Sequence, residues 1–225
     1  MDLETVKELE MLVVPAVERG EEPEYYKRLF QEIKQDIELE SEIYKCERCG
    51  LRDSRTNVVP GHGKFNTNLM FVGEGPGKDE DEQGIPFVGK AGQLLDRIID
   101  KAKWKREDIF ITNIVKCRTP DNREPKKEES AQCFYWLEKQ IERVNPTVIV
   151  CWGSVSSKKL IHPNFKITKE NGQLFEDENG RKLVGLYHPA FVLRKQGEEQ
   201  VEVKKEVWEG IKKVKEALGE DIPQD

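Results

Sequence analysis

Hydrophobic and polar positions alternate along the chain in two distinct rhythms. In residues 1–45 the rhythm is helical and the intervening positions are charged. Val6, Leu9, Leu12 and Val13 repeat at helical spacing, as do Tyr26, Leu29, Phe30 and Ile33, with Gly20 and Pro23 between the two segments. After Cys49, short apolar runs alternate with longer amphipathic stretches. Asn68 to Val72 reads as a strand that ends in the tight loop Gly73-Glu74-Gly75-Pro76-Gly77. Leu94, Leu95, Ile98, Ile99 and Ala102 mark a helix, and Asp108 to Val115 is a second β-branched run. Phe134, Leu137, Ile141 and Val144 line a further helix that Asn145-Pro146 stops. Thr147 to Cys151 and Leu183 to Tyr187 are the third and fourth strands, and Val207, Ile211, Val214 and Leu218 line a terminal helix.

Strand runs that are apolar throughout, alternating with helices, predict an α/β fold: a three-layer αβα sandwich around a central, mostly parallel four-stranded sheet. The N-terminal residues 1–45 form a helical extension in this reading, packed on a main domain of residues 46–225, with a partner-binding arm as the alternative. Ligands of such folds bind beyond the carboxyl ends of the strands. The residues to interrogate are therefore Glu74 to Gly77, Asn113 to Cys117, Trp152-Gly153 and His188-Pro189.

Composition sharpens this only in places. Among 225 residues, hydrophobic and charged residues each make up 36%, so the core is compact and many helix faces are solvated. No run of about 18 apolar residues is present, and the start Met-Asp-Leu-Glu lacks the basic and apolar regions of a signal peptide. A cytoplasmic location with no membrane partner is the expectation. The net charge of −6 argues mildly against nucleic acid. Binding uses local patches, however, and Lys116, Arg118, Arg123, Lys126 and Lys127 crowd one segment against Asp121 and Glu124.

Five cysteines without a secretory signal disfavour a disulfide framework. Cys46 and Cys49 form a C-x2-C pair on a polar loop, spacing that lets two thiolates meet one metal. Cys117 and Cys133 are candidates to complete the site, which spacing alone leaves open to zinc or a [4Fe-4S] cluster. Cys151, between Val150 and Trp152, reads as core. The glycine-rich loop Gly73–Gly77 permits close approach of backbone to ligand but is not a dinucleotide fingerprint. Phe87, within Gly84-Ile85-Pro86-Phe87-Val88-Gly89, reads either as a stacking platform for a base or as a loop anchor. His188 sits on the ligand edge, with a structural histidine as the alternative.

Taken in order, these motifs closely resemble the family 4 uracil-DNA glycosylases, the iron–sulfur type. The match runs from about Tyr44 to Lys195. It includes Thr56-Asn57-Val58-Val59, Gly73-Glu74-Gly75-Pro76-Gly77 and Gly84-x-Pro86-Phe87-Val88-Gly89-x-Ala91-Gly92. It continues through Thr112-Asn113-Ile114-Val115-Lys116-Cys117-Arg118 and ends at His188-Pro189-Ala190-Phe191-Val192-Leu193-Arg194. The resemblance implies a monomeric DNA-repair hydrolase that flips uracil out of single- or double-stranded DNA and cuts its N-glycosidic bond. It identifies Cys46, Cys49, Cys117 and Cys133 as ligands of a [4Fe-4S] cluster. It makes Phe87 the stacking ring, Asn113 the reader of the uracil edge, and the backbone of Gly75 a further uracil contact. His188 is the donor to the leaving uracil, and Glu74 and Glu80 are the carboxylates near the sugar and water, in an order it leaves open. Arg194 and Lys195 would hold phosphates, and Val192 or Leu193 would wedge into the vacated stack.

Two departures stand out. Ala190 occupies a position where serine is usual in the wider superfamily. No additional basic loop precedes His188, so the covalent trapping seen in a related group is not implied. Rival readings are a non-catalytic uracil-DNA sensor, which would lack Glu74 and His188, and an iron–sulfur or zinc interaction domain, which would leave Asn113 and His188 without a task. Action mainly on another deaminated base is a third.

Overall fold

The computed structural model describes residues 24–223. The chain divides into two compact units, 1–46 and 47–225. In the first unit, helix α1 (Glu24–Tyr44) buries Phe30, Leu39 and Ile43. The predicted stripe at Val6, Leu9, Leu12 and Val13, with Gly20 and Pro23, lies outside the described residues.

The second unit is built on five strands: β1 (Leu69–Gly73), β2 (Phe110–Asn113), β3 (Val148–Trp152), β4 (Leu174–Glu176) and β5 (Lys182–Leu186). Their order is β2-β1-β3-β5-β4. β2, β1, β3 and β5 are parallel, and β4 runs antiparallel along β5. The α/β class and the parallel sheet agree with the sequence pattern, but the count of four is corrected to five. β4 is three residues long, with Leu174 and Glu176 exposed, so it has neither the length nor the apolar continuity that marks a buried strand. The second run is also shorter than predicted, because Arg106–Asp108 closes a 3-10 turn before it.

Alternation along the strands assigns the two faces. Leu69, Phe71, Ile109, Ile111, Val148, Val150, Trp152, Val184 and Leu186 belong to one buried cluster. Onto it pack α3 (Lys90–Lys101) through Leu94, Leu95 and Ile99, and α8 (Gly197–Leu218) through Val203, Val207, Ile211 and Val214. The predicted stripes of these two helices therefore face the core. The other face carries Thr112, whose hydroxyl donates to the Pro60 carbonyl at 2.7 Å and meets Gln140 of α4 (Lys127–Val144) at 3.3 Å. α5 (Ser154–Leu160) lies over Gly185 on the same side, where an added Cβ would strike Ser157 and Phe165. Three short helices complete the unit: α2 (Lys78–Gln83), α6 (Ile167–Glu170) and α7 (Pro189–Arg194).

Candidate active site

The carboxyl ends of β1, β2, β3 and β5 open onto one cleft of about 640 Å³. The predicted residues Glu74, Gly75, Glu80, Phe87, Asn113, His188 and Arg194 all line it. They come from four separate stretches of sequence, and the sheet register is what gathers them. Gly73 pairs with Asn113 across β1 and β2. Past the strand ends, Ile114 N–H donates to Gly73 C=O at 3.0 Å and Val115 N–H to Glu74 C=O at 3.1 Å. Glu74 and Asn113 therefore leave the sheet side by side.

The cleft floor needs glycine at position 73. A Cβ there would stand 2.4 Å from Asn113 Oδ1 and 2.6 Å from the Phe87 ring. Asn113 is buried, and its Oδ1 has no hydrogen-bond partner. A buried amide oxygen without a donor is costly and uncommon. Here it lies at the wall of an open cleft, where a ligand N–H can meet it.

Phe87 has φ 53°, a left-handed conformation that a bulky residue rarely adopts. Two buttresses hold it. Glu80 accepts from Val88 N–H and Gly89 N–H at 2.9 Å each, and from Gly77 N–H at 3.1 Å. Arg106 donates to the carbonyls of Pro86 (2.6 Å) and Phe87 (3.2 Å) while pairing with Asp96 at 2.5 Å. The Phe87 ring lines the cleft and stacks on His188, with centroids 5.6 Å apart and planes at 30°. The two readings of Phe87 are not exclusive: it is 5% exposed, part of the core cluster, and also a wall of the cleft.

His188 caps α7. Its Nδ1 accepts from Ala190 N–H at 3.1 Å, so Nδ1 carries no proton and a neutral ring must carry it on Nε2. Burial lowers its pKa from 6.5 to about 4, with a smaller contribution from the positive charge of Arg194. The imidazole is thus a neutral Nε2–H donor. Gly153, at φ +95°, lets the turn after β3 pass beside it, since an added Cβ would meet His188 Cβ at 3.2 Å. Glu74 is half-buried, and burial raises its pKa, helped by the negative charge of Glu124.

The remaining predicted residues divide. Leu193 is 38% exposed, whereas Val192 is turned into the core at 1%, which removes Val192 from the surface. Arg194 is exposed, and the Lys195 ammonium pairs with Glu199 at 2.5 Å. Cys151 is fully buried, which pushes its thiol pKa up, in line with its reading as core.

Cys46 closes the first unit. In the second, Cys117 and Cys133 are buried and Cys49 is half-buried. Burial pushes the Cys133 thiol up to about 12, and its further influences include Lys116, Cys117 and Cys49. Cys133 Sγ accepts Lys116 N–H at 3.2 Å, and Cys117 Sγ accepts Arg55 Nη1 at 3.4 Å. Sulfurs that receive N–H donors suit metal-bound thiolates. Among the described residues no group of three or more His, Cys, Asp or Glu stands at the distances of a single-ion site.

Sequence reasoning missed two features. The segment Thr119 to Pro125 forms a cleft wall, through Thr119, Asn122, Arg123, Glu124 and Pro125. It is braced by the Arg123–Glu129 ion pair at 2.6 Å and by left-handed Asp121 and Asn122. Its only sequence signal was a run of turn formers, which charge counting overlooked. The second is Lys116, counted as part of a basic patch but 1% exposed. Burial lowers its pKa to about 7, against the opposing effect of Cys133 and Cys117.

Residues 60–212 match the sequence profile of the uracil DNA glycosylase superfamily. The chain belongs to that superfamily. Among its relatives is the type-4 uracil-DNA glycosylase of Thermotoga maritima, 42% identical over 181 residues, 80% of this chain and 93% of the relative. The type-4 enzyme of Archaeoglobus fulgidus is 39% identical over 81% of this chain and 92% of its own length. That of Saccharolobus solfataricus is 40% identical over 80% and 85%. Superfamily membership covers β1 through most of α8, hence every residue of the cleft. It starts after the C-x2-C pair.

Proposed function

We propose that this protein is a DNA-repair enzyme that excises uracil from DNA by hydrolysing its N-glycosidic bond, leaving an abasic site. The observation that carries the reading is the unpaired Oδ1 of Asn113 in the same cleft as a neutral His188. A flipped uracil offers N3–H to that oxygen and O4 to the amide nitrogen, a pairing that the exocyclic amine of cytosine spoils. Phe87 supplies the apolar wall, and Gly75 brings backbone close to the ring.

As the bond from C1′ to N1 breaks, its electron pair passes to the uracil. His188 Nε2–H donates to O2 as negative charge collects there. Water adds to C1′ and gives its proton to the Glu74 carboxylate, and the uracil anion takes up a proton from solvent on release. Glu74 is the carboxylate assigned to the cationic sugar and the water. Glu80 is assigned to positioning, because both its oxygens already hold the Gly77 and Val88–Gly89 backbone. Leu193 fills the gap left by the base, and Arg194 and Lys195 take adjacent phosphates. Residues 46–225 carry the activity in this reading, and the cleft is assembled within one chain, which suits a monomer. The described residues include no helix long and apolar enough to cross a membrane. The cytoplasm is the assigned compartment.

Cys46, Cys49, Cys117 and Cys133 are assigned to a [4Fe-4S] cluster. Such a cluster supplies a rigid thiolate-bound staple between the segments that carry its ligands. The purified protein is expected to be brown, with about four irons per chain by metal analysis. A colourless, folded preparation with stoichiometric zinc would overturn this assignment and leave the glycosylase reading standing.

That reading has its own test. A uracil-containing oligonucleotide incubated without added metal should be converted to an abasic product, visible as strand breaks after alkali. The thymine control should stay intact. Tight uracil-DNA binding with no abasic product would make the chain a sensor instead.

A further inference from the structure

Lys116 is among the largest fully buried side chains of the protein, and nothing in the chemistry above uses it. A buried lysine gives up both rotamer freedom and hydration, so fixed groups must replace the water it loses. Its ammonium donates to Thr112 Oγ1 at 2.7 Å and to the Asn113 carbonyl at 2.8 Å. Both acceptors are uncharged. Among the described residues no carboxylate hydrogen-bonds to it. Its own backbone N–H donates to Cys133 Sγ, and Cys117 follows it in sequence. One residue therefore touches the cysteine set through its main chain and the base-reading asparagine through its side chain. The contact falls on the last residue of β2, where ladder pairing ends and an additional anchor has most effect.

We propose that Lys116 is a positioning residue that couples the metal-binding cysteines to base recognition. Its side chain clamps the Asn113 peptide while its backbone N–H holds Cys133, and so it fixes the carboxamide that reads uracil. The inference rests on the uracil-excision reading and on the cysteine set as metal ligands, whichever metal it holds.

Lys116→Met keeps the length and apolar stem and removes the charge. Two measurements on the metal-loaded full chain decide the matter. Metal release to a chelator should quicken by at least about tenfold, since the segment that carries Cys117 and donates to Cys133 loses its side-chain anchor. Single-turnover excision of uracil should slow by about tenfold, with DNA affinity changed by less than about twofold, since a charged hydrogen bond to the reading residue is lost. A folded variant that matches the wild type in both overturns the proposal. So does a change in one without the other, because Lys116 would then serve only the metal or only Asn113. If Lys116→Met does not fold, Thr112→Val removes one of the two ammonium acceptors and should shift both measurements in the same directions by smaller factors. No shift in either overturns the proposal. A wild-type chain inactive on uracil-DNA would defeat the functional reading itself, and the metal-release measurement would still report on Lys116.

Discussion

His188→Ala is expected to slow single-turnover excision of uracil by about 10²–10³-fold, while uracil-DNA affinity changes far less. The asymmetry follows from when the donor matters. O2 of intact uracil is a weak acceptor, and it becomes strong only as the glycosidic electrons arrive, so the hydrogen bond tightens in the transition state. The ring is already neutral, already protonated on Nε2, and held by Ala190 N–H, so little reorganisation is needed. Equal losses in rate and affinity would instead make His188 a DNA-docking residue. The same geometry fixes a pH response. With its pKa lowered to about 4, His188 stays uncharged through the neutral range, and excision should not fall as pH drops through the ordinary histidine value. Stability behaves differently. The unfolded chain takes up this proton near 6.5 and the folded chain only near 4, so this residue's contribution to stability falls between those values as pH is lowered. Denaturant titrations of wild type and His188→Gln across that window will show it, because the pH dependence should be weaker in the variant.

Asn113→Ala is expected to cost about 1–3 kcal/mol of transition-state stabilisation, read as a fall in kcat/KM on uracil-DNA. The free protein should not suffer a comparable loss. Asn113 Oδ1 is buried without a partner, so removing it also removes an uncompensated polar atom, offsetting the small cavity left behind. Chemical denaturation should place the variant within about 1 kcal/mol of wild type. Unchanged excision by the folded variant would mean that the uracil edge is read elsewhere. A residue whose loss harms function more than folding is the signature of a site shaped for its ligand.

Much of this architecture was legible because burial leaves a periodic trace. Leu94, Leu95 and Ile99 on one helix and Val207, Ile211 and Val214 on another face the core, as their spacing required. The four parallel strands stood out because both faces are covered, which makes their sequences apolar throughout. The cleft was legible for a topological reason: parallel strands deliver their carboxyl ends to one edge, so Glu74, Asn113, Gly153 and His188 had to converge. Three things left no such trace. β4 is half solvated and three residues long. Val192 and Leu193 are neighbours of similar chemistry, and only the helix phase of α7 decides which is buried. The roles of Glu80 and Lys116 depend on partners distant in sequence or on backbone atoms, which side-chain patterns do not encode. Lys116 looks like a surface charge in the sequence yet lies in the interior, and Glu80, which the resemblance sets beside the sugar and water, has its carboxylate taken up by the loop that carries Phe87.

The short antiparallel strand has a further consequence, for behaviour in concentrated solution. A parallel sheet ends in rows of unsatisfied backbone groups that invite pairing with another molecule and growth into aggregates. Here β5 is covered by β4, which is too short to template a long partner and carries Glu176 paired with Lys182 beside it. At the opposite side, His62 forms an antiparallel bridge with Ile111 of β2, with bonds of 2.9 and 2.8 Å. Both margins of the sheet are thus blunted by a few residues each. In the proposed function it is then the cleft, rather than an open strand, through which the second unit engages DNA.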